Sequence, residues 1–515
     1  VEAFKANQYG VKDLVEIKNA IEYITGEIMI DAPNNKSSIK KFPQYPIFDS
    51  KQPSYVFYDY PAIYKGVYDR KKFYFKVDPF VIDSLNKFST KGLFFAGEFF
   101  SADIFVPMRE KIVVQNDYSF GFTRTTGAAG YPIYKGKGTF TDTINLSFKG
   151  LRGFGKINYL NSESVSKTGY TFFPDSTNGI ADKYSIKKQT KAQGVDYPDV
   201  NGEKIDIHWE PYKDRWVSKE TGKAFKMYGD STYLSGGLIF TPKGLGGWGK
   251  YTFSEAQITS NSFRFKEKDV FADTSNFDLL SKGAMKDLAF KTQNVATRVD
   301  FEKKKASFKA NDDMTVVQFP KNQYICYLNQ FTWDMVTKQI ELGNPDALTK
   351  PGAAPGLHFY SVHPRQDTLN FKSTYAKYDL NKFIIDAYQV PFIDVADSRI
   401  IPHKDSVIRI REEAKMRTIN NATMYANRDN KYHFIYNATF NINGKLDYTG
   451  NGSYDYIDEN KDKQTLLLTY IGVDPEFRTF GTGKIAETDN FKLSPVYSYY
   501  GDFRMNAWRK DLTFN

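Results

Sequence analysis

Residues 244–250, Gly-Leu-Gly-Gly-Trp-Gly-Lys, carry the one spacing in this chain that could cradle a phosphate. They match Gly-x-Gly-x-x-Gly and nearly match a Walker loop, but Tyr251 stands where Ser or Thr would hold magnesium. A phosphate cradle also needs a helix N-terminus after the glycines, and Tyr251, Thr252 and Phe253 alternate as a strand does. The phrase occurs twice, as KGLRGFGK from Lys149 to Lys156 and as KGLGGWGK from Lys243 to Lys250. The first copy fails in the same way, with Ile157 after its lysine. A phrase used twice before alternating residues is a structural part, and no cofactor is expected.

The other candidates for chemistry are weaker. Of five histidines (His208, His358, His363, His403 and His433) only His358 and His363 are close, and no His-Glu-x-x-His occurs, so no metal is expected. Asp458-Glu459-Asn460-Lys461-Asp462 begins like a calcium loop, but Lys463 replaces the glycine and Thr469 the bidentate glutamate. It reads as a solvated turn. Cys326, inside the apolar run Tyr324–Leu328, reads as an inert core residue. No Gly-x-Ser-x-Gly elbow appears, and 60 acidic residues single out no pair. Aromatic clusters at His208-Trp209 and Tyr212–Trp216 would stack on sugars if exposed; core or strand-edge roles fit them better. No catalytic, cofactor-binding or metal residue is nominated, and the reading leans away from an enzyme.

The elements that would position such residues are strands. Aromatics make up 16% of the 515 residues, with 36 Tyr and 43 Phe, side chains that suit a pleated, half-buried surface. Mean hydropathy is −0.52 and no run of 18 apolar residues occurs, so no transmembrane helix is expected. Net charge is +10, but 70 basic and 60 acidic residues are interspersed without a basic arm, so no nucleic-acid partner is expected.

Gly-x-Gly-x-apolar recurs at Gly136/Gly138, Gly153/Gly155, Gly247/Gly249, Gly450/Gly452 and Gly481/Gly483. In a strand, residues two apart share a face, so each pair leaves a slot that a neighbouring ring can enter. Asn421-Ala422-Thr423 is echoed by Asn437-Ala438-Thr439, a spacing that fits a hairpin or a solenoid rung. The expected fold is all-β: an elongated stack of many short strands, solenoid-like or in tandem sandwich-like modules, with little helix. Four segments are expected. Residues 1–50 are mixed, with a short helix around Val11, Leu14, Val15, Ile21 and Ile24; 51–342 form a β-rich region; 343–356 (GNPDALTKPGAAPG) are a linker; 357–515 form a second β-rich region. With Val1 at one end and an alternating stretch at the other, the chain reads as a piece of a longer polypeptide.

The Tyr/Phe/Lys-rich strands, the glycine phrases, and segments such as Val395-Ala396-Asp397-Ser398 and Leu493-Ser494-Pro495 resemble the large, repetitive, β-rich cell-envelope proteins of Bacteroidota. Asp-Ser/Thr-small or aliphatic tripeptides resemble the O-glycosylation acceptor of exported proteins in that group, at Ser84, Thr143, Ser176, Ser231, Thr368 and Ser406. The resemblance implies export to the periplasm, outer membrane or cell surface. It also implies a non-enzymatic scaffolding role among other envelope proteins. Two alternatives are a carbohydrate-binding or carbohydrate-active protein and a lipid-conducting β-groove bridge.

Overall fold

Strand Phe73–Val77 shows the rule that builds this chain: Phe73, Phe75 and Val77 are buried, while Tyr74 and Lys76 are not. The computed structural model describes residues 48–58, 67–82, 91–116, 118–192, 194–229, 232–281, 287–350 and 354–515. The helix expected within 1–50 lies outside them. Strands make up 62% of the structure, and the helical pieces among the described residues are single 3-10 turns. No helix among the described residues is long and apolar enough to cross a membrane, which says nothing of a β-barrel. Two compact units divide the chain, residues 1–247 with 265–267 and residues 248–264 with 268–515.

In the first unit the strands follow one another as an antiparallel meander. Ser54–Phe57, Phe73–Val77, Phe94–Ser101, Met108–Val114 and Phe120–Thr125 pair in that order. The ladder continues through Gly138–Ser147, Gly150–Tyr159, Ser162–Phe172, Thr177–Ile186, Val200–Glu210 and Arg215–Glu220 to Thr232–Thr241. Neighbours in sequence become neighbours in the sheet, without the parallel rungs that define a solenoid.

The second unit adds a bend to the same plan. Leu288–Asp300 pairs along one half with Lys305–Ala310 and along the other with Thr315–Phe319. From there to Val407–Ile410 each crossing of the sheet is a strand in two halves. Tyr324–Leu328 continues as Gln330–Asp334, Asn370–Ser373 as Tyr375–Asp379, and Ile384–Tyr388 as Ile393–Val395. Each half pairs only within its own track. Segment 343–356, read above as a linker, sits inside this unit: Gln339–Leu342 and Leu357–Ser361 are the halves of one crossing, and Gly343 N–H donates to Gln330 O at 3.0 Å. Gly343, Pro345, Pro355 and Gly356 flank a lengthened bend.

Register keeps each face uniform. One inward row runs Val270, Val299, Ala306, Trp333, Ile340, Tyr378, Ile385, Ile410, each at most 2% exposed. The other track holds Val317, Cys326, Phe359, Phe371, Ile393, Ile400, Met424 and Ile435, all buried. The two tracks face each other, because the Phe319 ring of one lies 4.9 Å from the Tyr378 ring of the other. Phe290 touches both Phe319 and Phe331. The sheet is therefore doubled over at its bends.

The edges that meet are stitched by buried amides. Asn322 Nδ2 donates to Phe383 O at 2.7 Å and to Ile410 O at 3.4 Å. Gln366 Nε2 donates to Ala414 O at 2.8 Å, while its Oε1 accepts from Tyr324 OH at 3.2 Å. These links are side-chain stitches and not a ladder, so the sheet is not a closed barrel. Asn322 Oδ1 has no partner among the described residues, so the donor half of that amide is what the seam uses. Asn322→Ala removes the donor to the Phe383 and Ile410 carbonyls, at a cost of about 1–3 kcal/mol. Urea unfolding should show a lowered midpoint; an unchanged midpoint would mean that the seam carries no load.

Candidate functional site

The glycine phrases are the sites the sequence singles out, and in the structure they are strands. Each KGL phrase leaves a tight hairpin in the same way. Lys149 N–H donates to Ser147 Oγ and Lys243 N–H to Thr241 Oγ1, each at 3.2 Å. Gly150 (φ +86°) and Gly244 (φ +131°) then start strands Gly150–Tyr159 and Gly244–Phe253. A strand that follows such a turn offers no helix end to an anion.

Within the Gly-x-Gly pairs the residues do three different jobs. Gly153, Gly450 and Gly452 are ring or side-chain slots: a Cβ would stand 2.5 Å from Phe172, 2.4 Å from Phe440 and 2.6 Å from Ile435. Gly138 gives way to the Trp209 indole at 2.8 Å and Gly483 to Phe503 at 2.6 Å. Gly247 lies under Phe265 and Leu238, both 3.1 Å away, with Gly237 O nearer at 2.6 Å. Gly481 lies between Leu468 and Met505. Gly155 (φ +147°) and Gly249 (φ +124°) instead supply a backbone shape; at Gly155 the pairing with Ser162–Phe172 slips into a bulge. Gly136 (φ +85°) is a turn residue with open space around it.

The tryptophans of the aromatic clusters lie in the interior of the first unit, while Tyr212 is 47% exposed. Trp209 and Trp216 are fully buried, 5.4 Å apart, with Tyr159 against both. Rings packed in this way are closed to a sugar. Cys326 is wholly buried, and desolvation pushes its thiol far above the ordinary range, so no thiolate forms there. The Asp458 loop is a hairpin turn, in which Asp462 N–H donates to Asp458 Oδ1 at 2.9 Å.

Structure brings together groups that spacing does not reveal. Asp397, Ser398, Tyr448 and Thr479 meet in the core: Thr479 N–H and Oγ1–H both donate to Asp397 Oδ1, and Thr479 Oγ1 lies 2.6 Å from Ser398 Oγ and from Tyr448 OH. A hydroxyl beside a carboxylate suggests a nucleophile, but Ser398 is fully buried and spends its proton on Ala426 O. No histidine base joins the four. The cluster pins the turn Ala396–Asp397 to strand Thr479–Ile485.

The histidines stay apart. His358 faces outward, its Nδ1 accepting from Tyr360 OH at 3.0 Å, and His363 Nδ1 accepts Arg365 N–H in the next turn. No group of residues able to hold a metal occurs among the described residues. Thr143, Ser176, Thr368 and Ser406 lie at least partly at the surface, whereas Ser84 and Ser231 are outside the described residues. The Thr368 hydroxyl donates to Asp367 O at 2.6 Å.

His433 is the buried histidine among the described residues. Its Nε2 donates to Arg509 O at 2.6 Å and its Nδ1 accepts from Tyr454 OH at 3.2 Å, an arrangement that fixes the neutral tautomer. Desolvation lowers its pKa, partly opposed by the Arg509 and Asn506 carbonyls and Asp511. No protein-family model matches the chain, and no curated protein or solved structure matches it either.

Two experiments follow from this geometry. Gly153→Val forces a side chain into Phe172 and Phe140 and should cost about 1–3 kcal/mol, read as a lower melting temperature; an equal melt would mean that the slot is slack. For His433, a folded-state pKa below the unfolded value of about 6.5 means that the unfolded chain binds the extra proton. Its stabilising contribution is complete above pH 6.5 and declines as pH falls towards the folded value. His433→Gln should flatten the melting-temperature profile between pH 7 and 5, and identical wild-type and variant slopes would contradict the assignment.

Proposed function

We propose that this chain is a non-enzymatic scaffold, a stiff meander of strands whose outer faces dock partner proteins in an exported bacterial envelope assembly at the periplasm, outer membrane or cell surface. The observation that carries this reading is the filled interior: facing inward rows are close-packed from strand to strand, with Phe308, Phe331 and Phe277 in direct ring contact. A lipid conduit needs room between such rows, and a glycan platform needs exposed rings where Trp209 and Trp216 are buried. The envelope setting rests on the sequence texture and is supported by surface positions for the Asp-Ser/Thr acceptors at Thr143, Ser176, Thr368 and Ser406.

Outward rows suit docking. Arg298, Ser307, Thr332, Glu341, Lys377, Asp386 and Arg409 stand side by side across strands. Arg409 grips Asp386 through two hydrogen bonds of 2.7 and 2.8 Å. Such a row is held in place by its own pairs and presents a fixed charge pattern to a partner. The test is fractionation of native cells followed by crosslinking mass spectrometry, alongside titration with a fluorescent fatty acid. Envelope recovery, protein crosslinks on the outward rows and no saturable fatty-acid uptake are expected. Recovery in the cytosol, or stoichiometric uptake of the fatty acid, would overturn the reading.

A further inference from the structure

An open groove of about 620 Å³ lies on the outer face of the first unit, across strands Ser162–Phe172, Thr177–Ile186, Val200–Glu210 and Phe225–Met227. Ladder register sets its lining. Glu163, Ser185, Asn201 and Lys226 stand in one row, and Val165, Lys183 and Glu203 in the next. Gly202 and Ala224 line it without bulk, which gives the groove its depth.

Its charge is unbalanced. Glu163 is taken by Lys156 at 3.2 Å and Glu203 by Lys223 at 2.6 Å. Lys183 and Lys226 have no carboxylate within ion-pair distance among the described residues, although both act on Glu203 through space. Three lysines thus crowd one carboxylate, which they hold below its usual pKa range. Two like charges left over in a concave site repel each other, and a bound anion relieves that repulsion. On the outward rows of the second unit, by contrast, Asp386 and Arg409 neutralise each other across strands.

We propose that this groove binds a phosphate group, with Lys183 and Lys226 neutralising its charge and the free polar ends of Ser185 and Asn201 donating hydrogen bonds to its oxygens. This goes beyond the scaffold reading and does not depend on it. Lysine supplies point charges and no bidentate fork, so the site selects for charge and is weak and salt-sensitive. The phosphate can be free or carried on a lipid headgroup.

Calorimetric titration with inorganic pyrophosphate, at low and at physiological salt, is the first arm. Flotation with phosphatidylcholine vesicles, with and without phosphatidylglycerol, is the second. Lys183→Gln/Lys226→Gln should weaken binding about tenfold or more, while Lys309→Gln/Lys372→Gln, an equal charge change outside the groove lining, should not. Both groove lysines are exposed, so an unchanged melting curve verifies the fold of the double variant. Groove-dependent binding in the first arm alone assigns a free phosphate, and in the second a headgroup. Binding in neither arm, or binding that Lys183→Gln/Lys226→Gln keeps, would overturn the proposal, as would equal loss in Lys309→Gln/Lys372→Gln.

Discussion

Everything in this structure depends on the register of its antiparallel pairs. Side chains alternate between faces with a period of two, so a slip of one residue would carry a whole inward row into water. The row holding Trp333, Tyr378 and Ile385 is continuous only because each strand is held in phase by both neighbours. Bulges correct phase where twist and bend would otherwise break it. The Asn-Ala-Thr echo is one such device: Ala422 pairs with Ala438, and Asn421 (φ +54°) and Asn437 (φ +48°) both adopt the left-handed shape that Asn tolerates. The two copies are matching bulges across one hairpin.

A core made chiefly of aromatic rings demands the glycines and explains the tyrosines. Phe and Trp are too large to fill every inward position of facing tracks, so bare positions such as Gly153 and Gly138 admit a neighbour's ring. Tyrosine adds a polar end that can reach backbone carbonyls. Tyr68 OH donates to Phe172 O at 2.7 Å, Tyr378 OH to Ala289 O at 3.3 Å and Tyr456 OH to Leu493 O at 2.8 Å. Each links points distant in sequence, and a phenylalanine there would remove that hydrogen bond.

Alternation and the glycine phrases are local, and they were legible in the sequence: strand texture, the strands that carry both KGL phrases, Cys326 in an apolar row and the turn at Asp458 all follow from a few adjacent residues. The seam was not legible, because Asn322 and Gln366 look like ordinary polar turn residues until the sheet doubles over and brings Ile410 and Ala414 to them. The bend at 343–356 has the composition of a linker, and only the pairing of its flanking strands places it inside one sheet. Gly155 and Gly249 resemble Gly153 and Gly247 in sequence, but positive φ, which spacing does not encode, separates their roles.

The buried polar groups follow the same logic and argue against chemistry in the core. Asp397, Ser398, Tyr448 and Thr479 contain a carboxylate and three hydroxyls, the raw material of a catalytic relay. Yet catalysis needs a lone pair free to accept a proton and a path for substrate. Here the Asp397 oxygen facing Thr479 receives two donors, Ser398 is committed to a carbonyl, and burial pushes the Tyr448 hydroxyl far above its ordinary range. Each polar atom is consumed by fixing a turn, which is what a doubled sheet without a closing ladder requires. On the outward rows, by contrast, charges such as Asp386 and Arg409 pair across strands and remain in contact with water.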